Sequence, residues 1–469
     1  MVTRLSASDA SFYHLEDTST PMYVGTLSIL RKPRNGLSYE SLLATVEQRL
    51  PQIPRYRQKV REVTLGLARP VWVDDRDFDI TYHIRRSALP SPGSDAQLHE
   101  LIARIGSRPL DKSRPLWEMY LIEGLTRSRI AIYTKSHQAL VNGMTALEIG
   151  HVVADRTQKP PQFGEDIWIP AREPSDRQLL LGAVGEWITR PAEQLGAVRS
   201  TVTEVATNAG QLVEVGRRFV DVARTVARGT APNSPLNTTV SRNRRFTVAG
   251  HRLEDYRLVR ARYDCDINDV LLAVVAGALR NWLLSRGEAV TPASAVRAMV
   301  PVSVRTDGED GQFGSRVSSY LVDLPVGEPN PIVRLSQVSY AMQAHKESGQ
   351  SVSADALTAL SGFAPPTLHA LGARAASSFT RRLFNLVITN VPGPQFPLYA
   401  SGARMLEMFP VIPLPPRQAL SVGLTSYDGG VYFGLNADRD HMHDVDVLAT
   451  LIEESLAELV LAADGGRGR

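Results

Sequence analysis

The sequence predicts a mixed α/β (α+β) protein of two domains joined by a long helical crossover. Three observations carry that prediction. At 469 residues the chain exceeds one ordinary domain, so two or three are expected. Residues 1–165 and 245–460 each interleave short β-branched or apolar runs with helical patterns, as α/β and α+β domains do. The stretch between them reads differently, with a Pro-rich segment followed by a long helical periodicity. The expected organisation is a first domain at 1–165, a linker with an amphipathic helix at 166–244, a second domain at 245–462 and a disordered tail at 463–469.

The elements follow in chain order. Leu43–Leu50 has a helical pattern that stops at Pro51. Arg129–Lys135 (RIAIYTK) reads as a strand, because it is a short apolar run rich in β-branched and aromatic residues. Met144–Ala154 then reads as a helix. Residues 158–175 are Pro-rich and read as a linker. From Leu195 to Val226 the apolar residues Leu195, Val198, Val202, Val205, Ala209, Leu212, Val215, Phe219, Val222 and Val226 recur at spacings of three and four. This is one long amphipathic helix, or two broken at Gly210. Arg199, Arg217, Arg218, Arg224 and Arg228 decorate it. They form a solvated face of a crossover helix, a contact for anionic lipid headgroups, or the flank of a dimer seam. Thr230–Asn237 closes the linker. In the second domain Asp269–Leu284 is a buried helix, and Ala295–Val304 and Leu383–Thr389 are strands.

Composition removes several function classes. A 43% hydrophobic and 22% charged chain is not wholly disordered. A formal charge of +3 is too small on this length to argue for nucleic acid. Only six of the basic residues are Lys, and the Arg excess is read first as genomic base-composition bias. The single cysteine, Cys265, excludes an intramolecular disulfide framework and a Cys-based zinc site, and it fits a reducing compartment. The N-terminal MVTRLSASDASFY has no apolar signal core. The longest uncharged stretch, Leu383–Ala403, carries Pro392, Pro394 and Pro397 and does not read as a membrane span. A soluble or peripheral cytoplasmic protein is the expectation.

Common enzyme signatures are absent: there is no Walker A loop, no G-x-G-x-x-G, no H-E-x-x-H and no G-x-S-x-G. Cys265 has no evident activating base and reads as a small packing residue. The cluster Asp438, Asp440, His441, His443, Asp444 and Asp446 fits no standard metal spacing and reads as a solvated loop. Lys135–Gly143 (KSHQALVNG) is more informative. It lies between a strand and a helix, where side chains project from a rigid edge, and Gly143 permits a tight turn. His137 is therefore a candidate base, with a hydrogen-bonded structural histidine as the alternative.

This segment is similar to the H-H-x-x-x-D-G motif of acyltransferases with the chloramphenicol-acetyltransferase-like fold. Further blocks resemble the bacterial wax ester synthase/diacylglycerol acyltransferase family, especially the actinobacterial triacylglycerol synthases. They are LSASDASFYHLED with PMYVG, RPLWEMYLIEGL, INDVLLAVVAGALR, VPVSVR, TNVPGP and SYDGGVYFGLNAD, in the expected order over nearly the whole chain. The resemblance implies two chloramphenicol-acetyltransferase-like domains, with mixed sheets flanked by helices and a channel between them. It implies long-chain acyl transfer from acyl-CoA, a substrate, to diacylglycerol or a long-chain alcohol. It implies no metal and no cofactor. Because diacylglycerol resides in bilayers, it also implies peripheral contact with a membrane or lipid-droplet surface.

In that family the second motif His takes the hydroxyl proton, while the first His and the Asp are structural. Here His137 matches the first His and Gly143 the Gly. Gln138 stands where the catalytic His belongs, and Asn142 replaces the Asp. A Gln amide donates and accepts hydrogen bonds but has no useful basicity. The expected catalytic positions are thus His137 and Gln138, with Asn142 and Gly143 shaping the loop. Trp117, Asn268, Asp269 and Asn390 fall in the blocks that the resemblance places near substrate. Core packing for Trp117, helix capping for Asn268 and Asp269, and a turn for Asn390 are their alternatives. Two other functions stay open: a weakly active or non-catalytic lipid or acyl-CoA binder that has lost its base, and an acyltransferase for another lipid hydroxyl.

Overall fold

The computed structural model describes residues 3–33, 37–63, 68–141, 153–159, 168–179, 230–305, 315–348, 352–353 and 383–465. The motif positions Asn142 and Gly143, most of the expected helix at 144–154 and the whole periodic segment at 195–228 lie outside them.

The first half contributes β1 (Thr3–Arg4), α1 (Ala7–Leu15), β2 (Tyr23–Arg31), α2 (Tyr39–Arg49), β3 (Gln58–Arg61), β4 (Val71–Asp74), α3 (Ile80–His83), β5 (Ile84–Ala88), α4 (Asp95–Gly106), β6 (Trp117–Leu125), β7 (Arg129–His137) and β8 (Ala154–Asp155). Local chemistry explains the helices. Ser38 and Ser41 close a capping box on α2, which gives way to a 3-10 turn containing Pro51. Ser94 and Gln97 do the same for α4, whose Leu98, Leu101, Ile102 and Ile105 are buried.

The second half contributes β9 (Arg244–Arg252), α5 (Leu253–Tyr263), α6 (Ile267–Ser285), β10 (Val296–Arg305), β11 (Ser315–Leu324), α7 (Pro331–Ser348), β12 (Val352–Ser353), β13 (Leu386–Pro392), β14 (Tyr399–Ala400), β15 (Ala403–Val411), β16 (Leu420–Tyr427), β17 (Gly430–Asp438) and α8 (Val445–Asp464). Among the described helices only α6 has the length and apolarity to cross a membrane, but 72% of that window is buried against the rest of the protein. It is the core helix of this half. α8 runs to Asp464, past the start expected for the tail, because Ala463 is buried and keeps the last turn docked.

Two seven-stranded mixed sheets result among the described residues. The first has the order β5-β6-β7-β2-β15-β14-β8 and the second β12-β11-β10-β13-β16-β17-β9. In the first, β5 and β6 are parallel and β6, β7, β2 and β15 are antiparallel. In the second, β10, β13 and β16 are parallel neighbours. Each sheet has its own large apolar cluster.

The domain division at 245–462 assigns 399–411 to the second half, whereas the structure places those residues in the first sheet. Six of the nine residues of β2 are buried, and without a neighbour one of its edges would be open. β15 supplies that neighbour, with Val411 opposite Gly25. The crossing also brings the sheets together at Pro410. A Cβ on Gly434 would lie 1.8 Å from the Pro410 carbonyl oxygen, and one on Gly423 would lie 2.9 Å from the Pro410 side chain. These two glycines let one backbone lie on another.

Candidate active site

The site is built at the C-terminal end of β7. The sequence pattern ends this strand at Lys135, but pairing carries it through Ser136 and His137, with His137 opposite Tyr23 of β2. The chain then turns, and both flanks pin the turn. The His137 N–H donates to the Leu116 carbonyl at 2.9 Å, and the Gln138 N–H donates to the Met22 carbonyl at 2.9 Å. The Leu140 N–H closes back on the His137 carbonyl at 2.9 Å. Because β2 also pairs with β15, and β15 leads on to β16 in the second sheet, the turn lies where the two sheets meet.

His137 is completely buried. Its Nδ1 accepts the Ala139 N–H at 3.0 Å, which puts the proton of the neutral ring on Nε2. Nε2 faces the Glu16 carboxylate at 3.6 Å, an electrostatic contact longer than a hydrogen bond. The Tyr13 ring meets the imidazole edge-on. Glu16 is buried too; it accepts the Met22 N–H at 3.1 Å and pairs with Lys112 at 3.1 Å. Burial pushes the Glu16 carboxyl up, but His137 and Lys112 together outweigh it and hold the group below its ordinary value. Gln138, in contrast, is only half-buried, and its side chain makes no hydrogen bond to another described residue. The pair expected as catalytic is therefore split: His137 is enclosed in a polar cradle and Gln138 keeps part of its surface exposed.

The other expected residues divide as well. Trp117 is fully buried, donates its indole N–H to the Tyr56 carbonyl at 2.8 Å and stacks on His83 at 4.6 Å between ring centroids. His83 in turn stacks on Phe78, so Trp117 ends an aromatic column inside the first half. Asp269 is buried at the third position of α6, where it accepts the Asp266 N–H at 3.0 Å and the Ser339 hydroxyl at 2.9 Å. That is the capping geometry its position implies. Asn390, read as a turn residue, is a strand residue of β13 opposite Leu424; the strand continues to Pro392 and the turn follows it. The structure brings Asn390 and Asn268 together, with the Asn390 Nδ2 donating to the Asn268 Oδ1 at 2.5 Å. No hydrogen bond among the described residues joins this amide pair to the turn at 137–138. Cys265 is half-buried, and burial pushes its thiol up to about 11, which suits a packing residue. In the 438–446 cluster, Asp438 is buried and fastens its own loop through the Ser241 N–H at 2.6 Å and the His441 ring at 2.8 Å.

Reading the sequence missed Glu16 and Lys112. Glu16 sits in a quoted block and Lys112 just ahead of another, but only the tertiary fold brings position 16 to position 137.

Two family models match the chain. One, the wax ester synthase/diacylglycerol acyltransferase catalytic domain, covers residues 5–271, and the other, the WS/DGAT C-terminal domain, covers residues 313–460. A Mycobacterium tuberculosis protein named probable diacylglycerol O-acyltransferase tgs3 is 76% identical over 57% of this chain and 98% of its own length. Its compatriot named tgs1 is 34% identical over 98% of this chain and 96% of its own length. Among solved structures, the wax ester synthase/diacylglycerol acyltransferase of Marinobacter aquaeolei VT8 superposes with a TM-score of 0.70 at 26% identity, covering 98% of this chain and all of that one. A starter condensation domain of rhizomide synthetase, solved with C8-CoA, gives a TM-score of 0.57 at 14% identity, covering 99% of this chain and 94% of that one, and shares the fold. With both domain models matched and a relative aligned along nearly its whole length, the chain belongs to the wax ester synthase/diacylglycerol acyltransferase family.

Proposed function

We propose that the protein transfers a long-chain acyl group from acyl-CoA to the hydroxyl of diacylglycerol, making triacylglycerol, with fatty alcohols as further acceptors. The observation that supports this most directly is the turn after His137. It is pinned on both sides and presents one half-exposed polar side chain, Gln138, at the motif position that acts on the acceptor hydroxyl in this family.

In this reading the acceptor oxygen attacks the thioester carbonyl, the C–S bond breaks and CoA leaves as the thiol. The Gln138 amide oxygen accepts the hydroxyl hydrogen bond and orients the nucleophile. It does not take the proton, which passes to solvent or to the departing sulfur. General base catalysis is worth about 10²–10⁴-fold, so turnover here is slower than a histidine would give. Positioning and the activated thioester supply the rest. His137 acts as a loop-holding residue, and Asn142 and Gly143 keep the structural role that the family motif gives their positions. The Asn268–Asn390 pair is our candidate for polar contact with substrate, and Trp117 packs behind the motif strand. No metal or redox cofactor enters this chemistry. The acceptor's solubility calls for a peripheral stay at a membrane or lipid-droplet surface, with the Arg-bearing 195–228 segment as its candidate contact.

The test is triacylglycerol formation, followed by product mass spectrometry, with palmitoyl-CoA and dioleoylglycerol. Wild type, Gln138→His, Gln138→Ala and His137→Ala are compared. Slow wild-type turnover, raised by Gln138→His and lowered by Gln138→Ala, is expected. Product from neither wild type nor Gln138→His overturns the reading and leaves a lipid binder. Product only with a different lipid alcohol reassigns the acceptor.

A further inference from the structure

We propose that Glu16 is a positioning residue of this site: its carboxylate, set between Lys112 and His137, fixes the His137 ring and through it the direction of the residue-138 side chain. The proposal rests on the acyl-transfer reading and names a residue that this reading does not use.

Glu16 stands where a carboxylate is doubly disfavoured. It follows directly on α1, at the helix end where carbonyl dipoles repel negative charge, and its side chain is only 3% exposed. A residue serving packing alone would be apolar here. Three partners hold the charge instead: the Met22 N–H on Oε1, the Lys112 ammonium on Oε2, and His137 Nε2 at 3.6 Å. Lys112 is itself fastened, donating to the Tyr13 carbonyl at 2.9 Å and lying over the Tyr13 ring.

The geometry carries this charge to position 138. The His137 ring is tied at Nδ1 to the Ala139 N–H and confronted at Nε2 by Glu16. The ring thus bridges the residues on either side of 138. The same Met22 that gives its N–H to Glu16 gives its carbonyl to the Gln138 N–H. One carboxylate therefore touches both supports of the turn, the ring and the residue 21–23 backbone. If the carboxylate is lost, the imidazole keeps only its tie to Ala139 and the Tyr13 edge, and the 137–139 turn loosens. A displacement of about 1 Å at a reacting group costs on the order of 10²-fold.

The experiment compares Glu16→Gln, which keeps shape and removes charge, in the wild-type, His137→Ala and Gln138→His backgrounds. Steady-state kcat and KM for palmitoyl-CoA and dioleoylglycerol are read alongside the thermal midpoint. Expected is a loss in kcat of about 10-fold or more at nearly constant KM, larger in the Gln138→His background, where a base must be aligned. Because Glu16 acts through His137, Glu16→Gln adds little once His137 is Ala. Unchanged kcat in Glu16→Gln, a change confined to KM, or fully additive losses with His137→Ala overturns the proposal. Should Glu16→Gln fail to fold, Lys112→Met carries the test, with a several-fold kcat loss expected and no loss overturning the idea. Activity in Gln138→His that ignores Glu16 refutes this inference alone. Inactivity of Gln138→His with every acceptor refutes the acyl-transfer reading beneath it.

Discussion

Lys135 offers a stability prediction with a definite sign. It lies two residues before His137 on β7, and its side chain is completely buried. The ammonium donates to the Ile105 carbonyl at 3.2 Å and to the Arg108 carbonyl, and it sits over the Tyr23 ring. The carbonyls belong to the end of α4 and the turn after it, where a cation is favoured. Burial nevertheless dominates. It pushes the amine down from 10.5 to about 8, while Glu118 and Glu16 pull the other way. Below about pH 8 both folded and unfolded states carry the proton, and folding bears the cost of burying the charge. Between about pH 8 and about pH 10.5 the unfolded chain binds more protons than the folded one, so this group makes stability rise with pH. At 1.36 kcal/mol per pKa unit the full rise is about 3 kcal/mol. Other groups titrate in the same range, so the observable is a difference. Urea unfolding of wild type and Lys135→Met, followed by Trp fluorescence at pH values across that window, isolates it. Wild type should gain about 3 kcal/mol on Lys135→Met from the bottom of the window to the top. A flat difference curve, or one falling with pH, would show that the carbonyl cradle fully replaces water around the ammonium and refute the reasoning.

Two further predictions concern the frame of the site. Gly434→Ala would drive a Cβ to 1.8 Å from the Pro410 carbonyl oxygen, a backbone atom that no rotamer change can move. A loss of about 3 kcal/mol or more is expected, read as a lowered thermal midpoint; an unchanged midpoint would mean that the sheets do not touch there. Trp117→Phe deletes the bond to the Tyr56 carbonyl and part of the stack on His83. It should cost about 2 kcal/mol in chemical denaturation and leave the KM for acyl-CoA within about twofold. A large KM change at modest stability loss would instead place the indole against substrate.

Much of this was readable because local rules and tertiary structure agree. The α6 segment is apolar over its length and opens with Asp266 and Asp269, so its burial and its cap both follow from sequence. The strand at 129–135 is visible for the same reason, yet its last two residues are not. Ser136 and His137 are polar, and only pairing with β2 and β6 makes strand residues of them. Asn390 misleads in the opposite direction. Asn with prolines two and four residues on has turn chemistry, but β13 lies between β10 and β16, and the parallel ladder holds it extended to Pro392. The crossing of 399–411 into the first sheet leaves no mark in periodicity, because a strand that changes sheets alternates like any other. Its trace is indirect, in Gly423 and Gly434, whose missing side chains make room for Pro410.

That crossing explains why the site falls where it does. β7 alone would end in an unsupported edge. With β2 beside it and β15 beside β2, its end is carried by chain segments near residues 16–25, 116–137 and 403–411, none of them neighbours in sequence. A motif scan sees only the middle segment and finds it degenerate, with Gln138 in place of a base. The tertiary arrangement keeps the supports of the degenerate position: a buried histidine hydrogen-bonded at Nδ1 and facing a carboxylate at Nε2, that carboxylate paired with a lysine, and a turn pinned from two flanking segments. A buried carboxylate is costly to keep where it does nothing. Its presence behind a neutral side chain argues that the orientation of residue 138, and not its basicity, is what this fold holds in place.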